Sequence, residues 1–70
     1  MEYLVSNIAA FRKAKRMTQE ELANRSGLTR PAIGNYEQGK RVPSIDNVIK
    51  IYKGLGIKVQ VTYECIEDEI

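Results

Sequence analysis

Residues 18–39 read Thr18-Gln19-Glu20-Glu21-Leu22-Ala23-Asn24-Arg25-Ser26-Gly27-Leu28-Thr29-Arg30-Pro31-Ala32-Ile33-Gly34-Asn35-Tyr36-Glu37-Gln38-Gly39. The local chemistry of this stretch decides the fold. Thr18 followed three residues later by Glu21 is a capping box, so a helix starts there and presents Leu22 and Ala23. Gly27 is the residue best able to take the left-handed conformation that ends a helix. Thr29 is the next N-cap candidate, with Pro31 in the first turn, where a missing N–H costs nothing. Ile33 and Tyr36 are three apart and face one way, and Gly39 closes the second helix. Ala23 is small where the two helices would cross, and Leu28, Ile33 and Tyr36 point back into a core.

The flanks extend the helical pattern. Leu4, Ile8 and Phe11 fall at i, i+4 and i+7, with Val5 adding width, which predicts an amphipathic helix over roughly 5–16. Its C-terminal end is basic, as the helix dipole favours. Downstream, Arg41-Val42-Pro43 is extended, because the residue before proline avoids the helical region. Ser44 caps a further helix with Ile45, Val48, Ile49, Tyr52 and Leu55 at helical spacing, closed by Gly54 and Gly56. The period then changes to two: Ile57, Val59, Val61 and Tyr63 alternate with Lys58, Gln60, Thr62 and Glu64, which predicts a strand with one apolar face. The expected organisation is a four-helix domain over 1–56, a strand over 57–64 and an acidic tail over 65–70.

Composition limits what such a chain can be. Seventy residues make one domain, and a chain of this size buries only about 60% of its unfolded surface. One cysteine, Cys65, and no histidine leave no internal disulfide and no zinc ligand set. Of the usual staples for a small domain, only oligomerisation remains. No run approaches the length of a membrane span, and Met1-Glu2-Tyr3 lacks the basic start and apolar run of a secretion signal. A lone cysteine fits a reducing cytoplasm. Without histidine, a paired acidic cleft or a phosphate loop, the chain is not expected to be an enzyme or to carry a cofactor.

Charge is uneven. Residues 12–41 hold eight basic side chains against Glu20, Glu21 and Glu37, whereas 62–70 hold four acidic residues and no base. A basic body points to a polyanion partner. The exposed face of the third helix carries Arg30, Pro31, Gly34, Asn35 and Gln38. An apolar back and a polar front able to reach base edges are what a helix needs to read a DNA groove.

Ile8 through Ala23, Ser26 through Arg41, and Pro43-Ser44 together resemble the Cro/phage-repressor (xenobiotic-response-element) helix-turn-helix domains, over residues 5–57. The resemblance implies a mainly α, lambda-repressor-like fold and double-stranded DNA as partner. It puts Arg30, Pro31 and Asn35 on base-reading positions, with Pro31 either touching a thymine methyl or merely capping its helix. Gln19 and Thr29 match phosphate-contacting positions, and Gln38, Lys40 and Arg41 join them as backbone contacts. Arg12 and Glu37 match a pair that bridges the first and third helices. Arg16 stands where the family often has glycine, and Gly34 and Gly54 where it usually has serine and alanine. In place of the family's fifth helix stands the strand carrying Ile57, Val59, Val61 and Tyr63. A lone apolar strand needs a partner, and pairing across a two-fold dimer is similar to the HipB-type antitoxin repressors. The implied function is a sequence-specific DNA-binding repressor acting as a homodimer on a palindrome. The alternative is an antitoxin that also binds a toxin protein.

Overall fold

The computed structural model describes residues 2–60, which form five α-helices: α1 (Glu2–Ser6), α2 (Ile8–Ala14), α3 (Gln19–Ser26), α4 (Arg30–Gln38) and α5 (Ile45–Gly54). No strand occurs among the described residues. None of their helices is long and apolar enough to cross a membrane.

The N-terminal segment differs from the single helix that the spacing predicts. Asn7 breaks it, with φ −107° and ψ 7°. Its side-chain amide donates to the Tyr3 carbonyl oxygen at 2.7 Å, competing with the helical ladder as asparagine commonly does. The other starts follow the local sequence. Thr18 and Glu21 form the reciprocal capping box of α3, Thr29 Oγ1 caps α4 at Ala32 N–H with Pro31 in the first turn, and Ser44 Oγ caps α5 at Asn47 N–H.

Four helix ends share one closure. The N–H of the residue after the closing turn reaches back to a carbonyl five positions earlier: Met17 to Arg12 at 3.1 Å, Leu28 to Ala23 at 3.0 Å, Lys40 to Asn35 at 2.9 Å and Ile57 to Tyr52 at 2.8 Å. This closure needs a left-handed residue between. Gly27, Gly39 and Gly56 supply it at φ 73°, 76° and 76°; after α2 the position is Arg16, at φ 56°. Met17, Leu28 and Ile57, each just past its turn, pack against the core. The hydrophobic contact that accompanies the closure therefore also docks each turn. The exception is Lys40, which is exposed.

The core comprises Ile8, Leu22, Ala23, Ile33, Val48, Ile51, Tyr52 and Leu55, with Leu4, Val5, Phe11, Met17, Leu28, Tyr36, Ile57 and Val59 packed around it. Tyr52 anchors the N-terminal helices: its hydroxyl donates to the Leu4 carbonyl oxygen at 2.6 Å, and its ring meets Phe11 edge-to-face at 5.6 Å. On α5 the buried stripe is rotated from the expected one. Ile51 is fully buried, whereas Ile45 and Ile49 are 46% and 37% exposed. Apolar residues cover so wide an arc of α5 that periodicity alone does not choose the inner edge. Residues 57–60 carry no strand pairing, yet Ile57 and Val59 are half-buried while Lys58 and Gln60 are exposed. The remainder of the expected strand, with Val61 and Tyr63, and the tail with Cys65 lie outside the described residues.

Two glycines that look alike in sequence differ in space. A Cβ at Gly34 would sit 3.7 Å from Gln19 Oε1, an ordinary contact, whereas at Gly54 it would sit 3.1 Å from Ser26 N and 3.3 Å from Arg25 C. Gly54 lets α5 approach the backbone at the end of α3. Gly34→Ala is thus expected to stabilise by about 1 kcal/mol through helix propensity. Gly54→Ala is expected to destabilise by about 1–3 kcal/mol through overpacking. Arg16→Gly is expected to stabilise by about 1 kcal/mol by relieving the left-handed strain. Thermal unfolding of the three variants checks this ordering, and equal effects at Gly34 and Gly54 would contradict it.

Candidate nucleic-acid interface

α4 is built as a two-sided element. Ile33 is fully buried. Tyr36 is half-buried and accepts a hydrogen bond from Asn47 Nδ2 at 3.1 Å, which ties α4 to the start of α5. On the other side Arg30, Pro31 and Gln38 are exposed, and Gly34 and Asn35 are partly so. Positions 31, 34, 35 and 38 recur at helical spacing and share that outer stripe.

One carboxylate sets where this helix sits. Glu37 Oε2 accepts from Arg12 Nε at 2.7 Å, and Oε1 accepts from Arg12 Nη2 at 3.0 Å and from Gln19 Nε2 at 3.0 Å. Arg12 Nη1 also donates to the Met17 carbonyl oxygen at 2.7 Å. The two charged side chains are only 11% and 7% exposed. A two-pronged guanidinium–carboxylate pair fixes orientation as well as distance. Here it joins α2, the turn after it, the first residue of α3 and the last turn of α4. Burial pushes the Glu37 carboxyl up, but the hydrogen bonds from Arg12 and Gln19 and the positive charges of Arg12 and Lys13 outweigh it and hold it below its usual value. The hydrogen bond that Arg12 donates to Glu37 raises Arg12 further, against the opposing effect of burial.

The Gln19 amide lies between Glu37 and Gly34. Beside the phosphate role expected from the resemblance, Gln19 has an intramolecular one that sequence reasoning missed. A glutamine opening α3 across from a glycine in α4 was the available signal. Thr29 is exposed and its hydroxyl serves the cap. Lys40 and Arg41 are exposed, and their backbone N–H groups both donate to the Asn35 carbonyl oxygen, at 2.9 and 3.4 Å. The two cations thereby hang on the backbone of the residue expected to read bases. Ile57 and Val59 lie elsewhere, beside Ile49, Lys53, Gly56 and Lys58 in a groove of about 390 Å³ along α5.

This geometry has counterparts. A helix-turn-helix profile matches residues 8–61, most of the chain. The chain belongs to the helix-turn-helix family. Members of this family are DNA-binding regulators, not enzymes. The chain is 38% identical over 53 residues to the uncharacterised HTH-type transcriptional regulator YqaE of Bacillus subtilis, covering 76% of this chain but 46% of that protein. An uncharacterised HTH-type transcriptional regulator of Archaeoglobus fulgidus is 37% identical over 65 residues, 93% of this chain and 92% of that one. The control protein C.SmaI of Serratia marcescens is 34% identical over 58 residues, 83% of this chain and 69% of that one. Among solved structures, a mutant of the restriction–modification controller protein C.Esp1396I superposes with a TM-score of 0.74 at 38% identity, covering 80% of this chain and 78% of that chain. The helix-turn-helix unit is thus shared with longer regulators, of some of which the chain spans less than half.

The charge on Glu37 gives a pH test. A carboxyl depressed in the folded state contributes stability above its unfolded value, and that contribution is lost as pH falls through the folded value. Glu37→Gln is expected to cost about 2 kcal/mol at pH 7 by weakening charge-assisted hydrogen bonds. The difference from wild type should shrink as pH drops below the ordinary glutamate value of 4.5. Denaturant titrations across this range measure it, and a gap unchanged at acid pH would contradict the charged network.

Proposed function

We propose that this helix-turn-helix protein is a sequence-specific DNA-binding transcriptional regulator, a repressor acting as a homodimer on a palindromic operator. The observation that carries the reading is the two-sided α4. Its back is welded to α2 and α3 through Glu37, and its front offers Arg30, Asn35 and Gln38 to solvent. Arg30 suits a guanine edge and Asn35 an adenine edge. Pro31 sits beside them, serving its helix start and within reach of a thymine methyl. Thr29, Gln19, Gln38, Lys40 and Arg41 position the domain on phosphates, which fix register without carrying sequence.

Two features support the homodimer. Ile49 is exposed on α5 next to Ile57 and Val59, with Ile45 exposed one turn earlier on the same helix, and a 70-residue chain gains core by covering them. Antiparallel pairing of residues 57–64 with a second copy covers them and sets two α4 helices about 34 Å apart, one turn of DNA. The antitoxin reading rests on the same strand. The likeness to transcriptional regulators, to the control protein C.SmaI and to a restriction–modification controller protein favours the regulator over it.

Arg30→Ala and Asn35→Ala are each expected to cost about 1–3 kcal/mol on the selected operator and to relax preference at one base position. Lys40→Ala should weaken selected and random DNA alike. With about six phosphates neutralised per dimer, log affinity should fall against log salt with a slope near −5. Binding titrations on operator and scrambled duplexes at several salt concentrations measure all of this. Equal losses on both duplexes for Arg30→Ala and Lys40→Ala, or a flat salt response, would overturn the assignment.

A further inference from the structure

A cleft between the end of α3 and α5 is lined by none of the residues proposed to meet DNA. Asn24, Arg25, Ser26, Gly27, Lys50, Lys53 and Gly54 line it, with a volume of about 620 Å³. Its charged side chains are Arg25, Lys50 and Lys53, all exposed. Lys53 also lines the groove beside Ile57 and Val59, so the cleft and the dimer groove meet along one helix. Lys15 extends the cationic strip: its Nζ comes within 3.9 Å of the Cβ position of Gly56. Basic residues at the ends of α3 and α5 suit the helix dipoles, but three cations lining one cleft, with Lys15 beyond it, exceed that need.

The sequence holds one matching group. Glu64, Glu67, Asp68 and Glu69 fall within the last seven residues, with no base among them. Two-fold symmetry limits where they go. Directly opposed residues of an antiparallel pair point to the same face, so an apolar residue must face an apolar one. Centring the pair on Gln60 sets Ile57 against Tyr63 of the partner subunit and Val59 against Val61 of the partner subunit. Within 57–63, this register gives every apolar residue an apolar mate. It also sets Gly56, where Lys15 sits, against Glu64 of the partner subunit. Glu67, Asp68 and Glu69 follow Glu64 by three to five residues, a reach of about 10–16 Å for an extended chain at about 3.3 Å per residue.

We propose that the cleft of Arg25, Lys50 and Lys53, continued by Lys15, is the seat of the acidic C-terminal residues of a second copy of this chain. This rests on the homodimer reading and deepens it: the apolar strand supplies contact area, and the tail-to-cleft charges fix register and reject parallel or slipped pairing. It also divides the basic surface. One set of cations faces DNA phosphates, and the other is neutralised inside the dimer.

A charge exchange in trans tests the seat, without DNA and on full-length chains. One variant carries Lys50→Glu and Lys53→Glu; the other carries Glu67→Lys and Glu69→Lys. Sedimentation velocity at about 50 mM salt first establishes the wild-type state, with circular dichroism verifying that each variant is helical. Each variant alone should dimerise about tenfold more weakly than wild type, and the defect should fade at about 1 M salt, where the Debye length is about 3 Å. An equimolar mixture should recover wild-type affinity as a heterodimer, because each tail then meets an oppositely charged cleft. A monomeric wild type would overturn the homodimer itself. A wild-type dimer with charge-insensitive variants would overturn the seat alone. Defective variants that mixing fails to rescue would also overturn it, placing each tail on its own chain or the cleft in another role.

Discussion

The carboxylate of Glu37 is the point on which the architecture turns. It sits near the end of α4, yet its partners come from α2 and from the first residue of α3. Three helices are therefore held at this corner by one charged centre. Such a centre contributes more to orientation than to net stability, because desolvating the two charges offsets much of their attraction. Orientation is what a DNA-reading helix needs. The outer residues of α4 keep their spacing to Lys40 and Arg41 because the following turn closes on the Asn35 carbonyl, and they keep their angle to α3 because Glu37 cannot move without leaving Arg12 unpaired.

A second constraint organises the chain from below. Each of α2, α3, α4 and α5 ends in the same left-handed turn, and after three of them the next residue drops into the core. The turn stops the helix and docks its exit in one step, which lets a small domain use segments of seven to ten residues that would not be stable alone. The closure after α4 breaks the pattern by placing Lys40 in solvent. That departure falls at the turn where a phosphate contact is useful. Arg16 breaks it differently, accepting left-handed strain in a position that suits glycine.

What the sequence made legible was local. Thr18, Thr29 and Ser44 as caps, Pro31 in a first turn, and Gly27 and Gly39 as stops each act within a few residues, so their roles survive in the fold unchanged. Arg16 was marked as unusual only by the resemblance, since the family often has glycine at that position. The misread elements depend on what lies across from them. Asn7 splits the first helix because its amide finds the Tyr3 carbonyl. On α5, Ile51 goes inside and Ile45 and Ile49 stay outside because packing against α3 and α2 selects one arc of a broadly apolar helix. Gly54 reads as part of a helix stop and proves to be the place where two backbones approach. The bond from Gln19 to Glu37 spans 18 positions, and no spacing rule anticipates it. The strand pattern of 57–64 shows in the described residues only as the alternate burial of Ile57 and Val59.

A double-mutant cycle between Arg12 and Glu37 tests most directly whether one carboxylate holds α4 in place. Arg12→Met, Glu37→Gln and the pair would be measured for unfolding free energy and, in parallel, for affinity to the selected operator. Removing one partner of a buried pair strands the other, whereas removing both does not. The account predicts a coupling of about 2 kcal/mol at neutral pH, with the double variant regaining stability relative to the single ones. Operator affinity should nevertheless stay low in all three, because α4 is no longer oriented. Additive stability losses, or full operator affinity in the double variant, would contradict it.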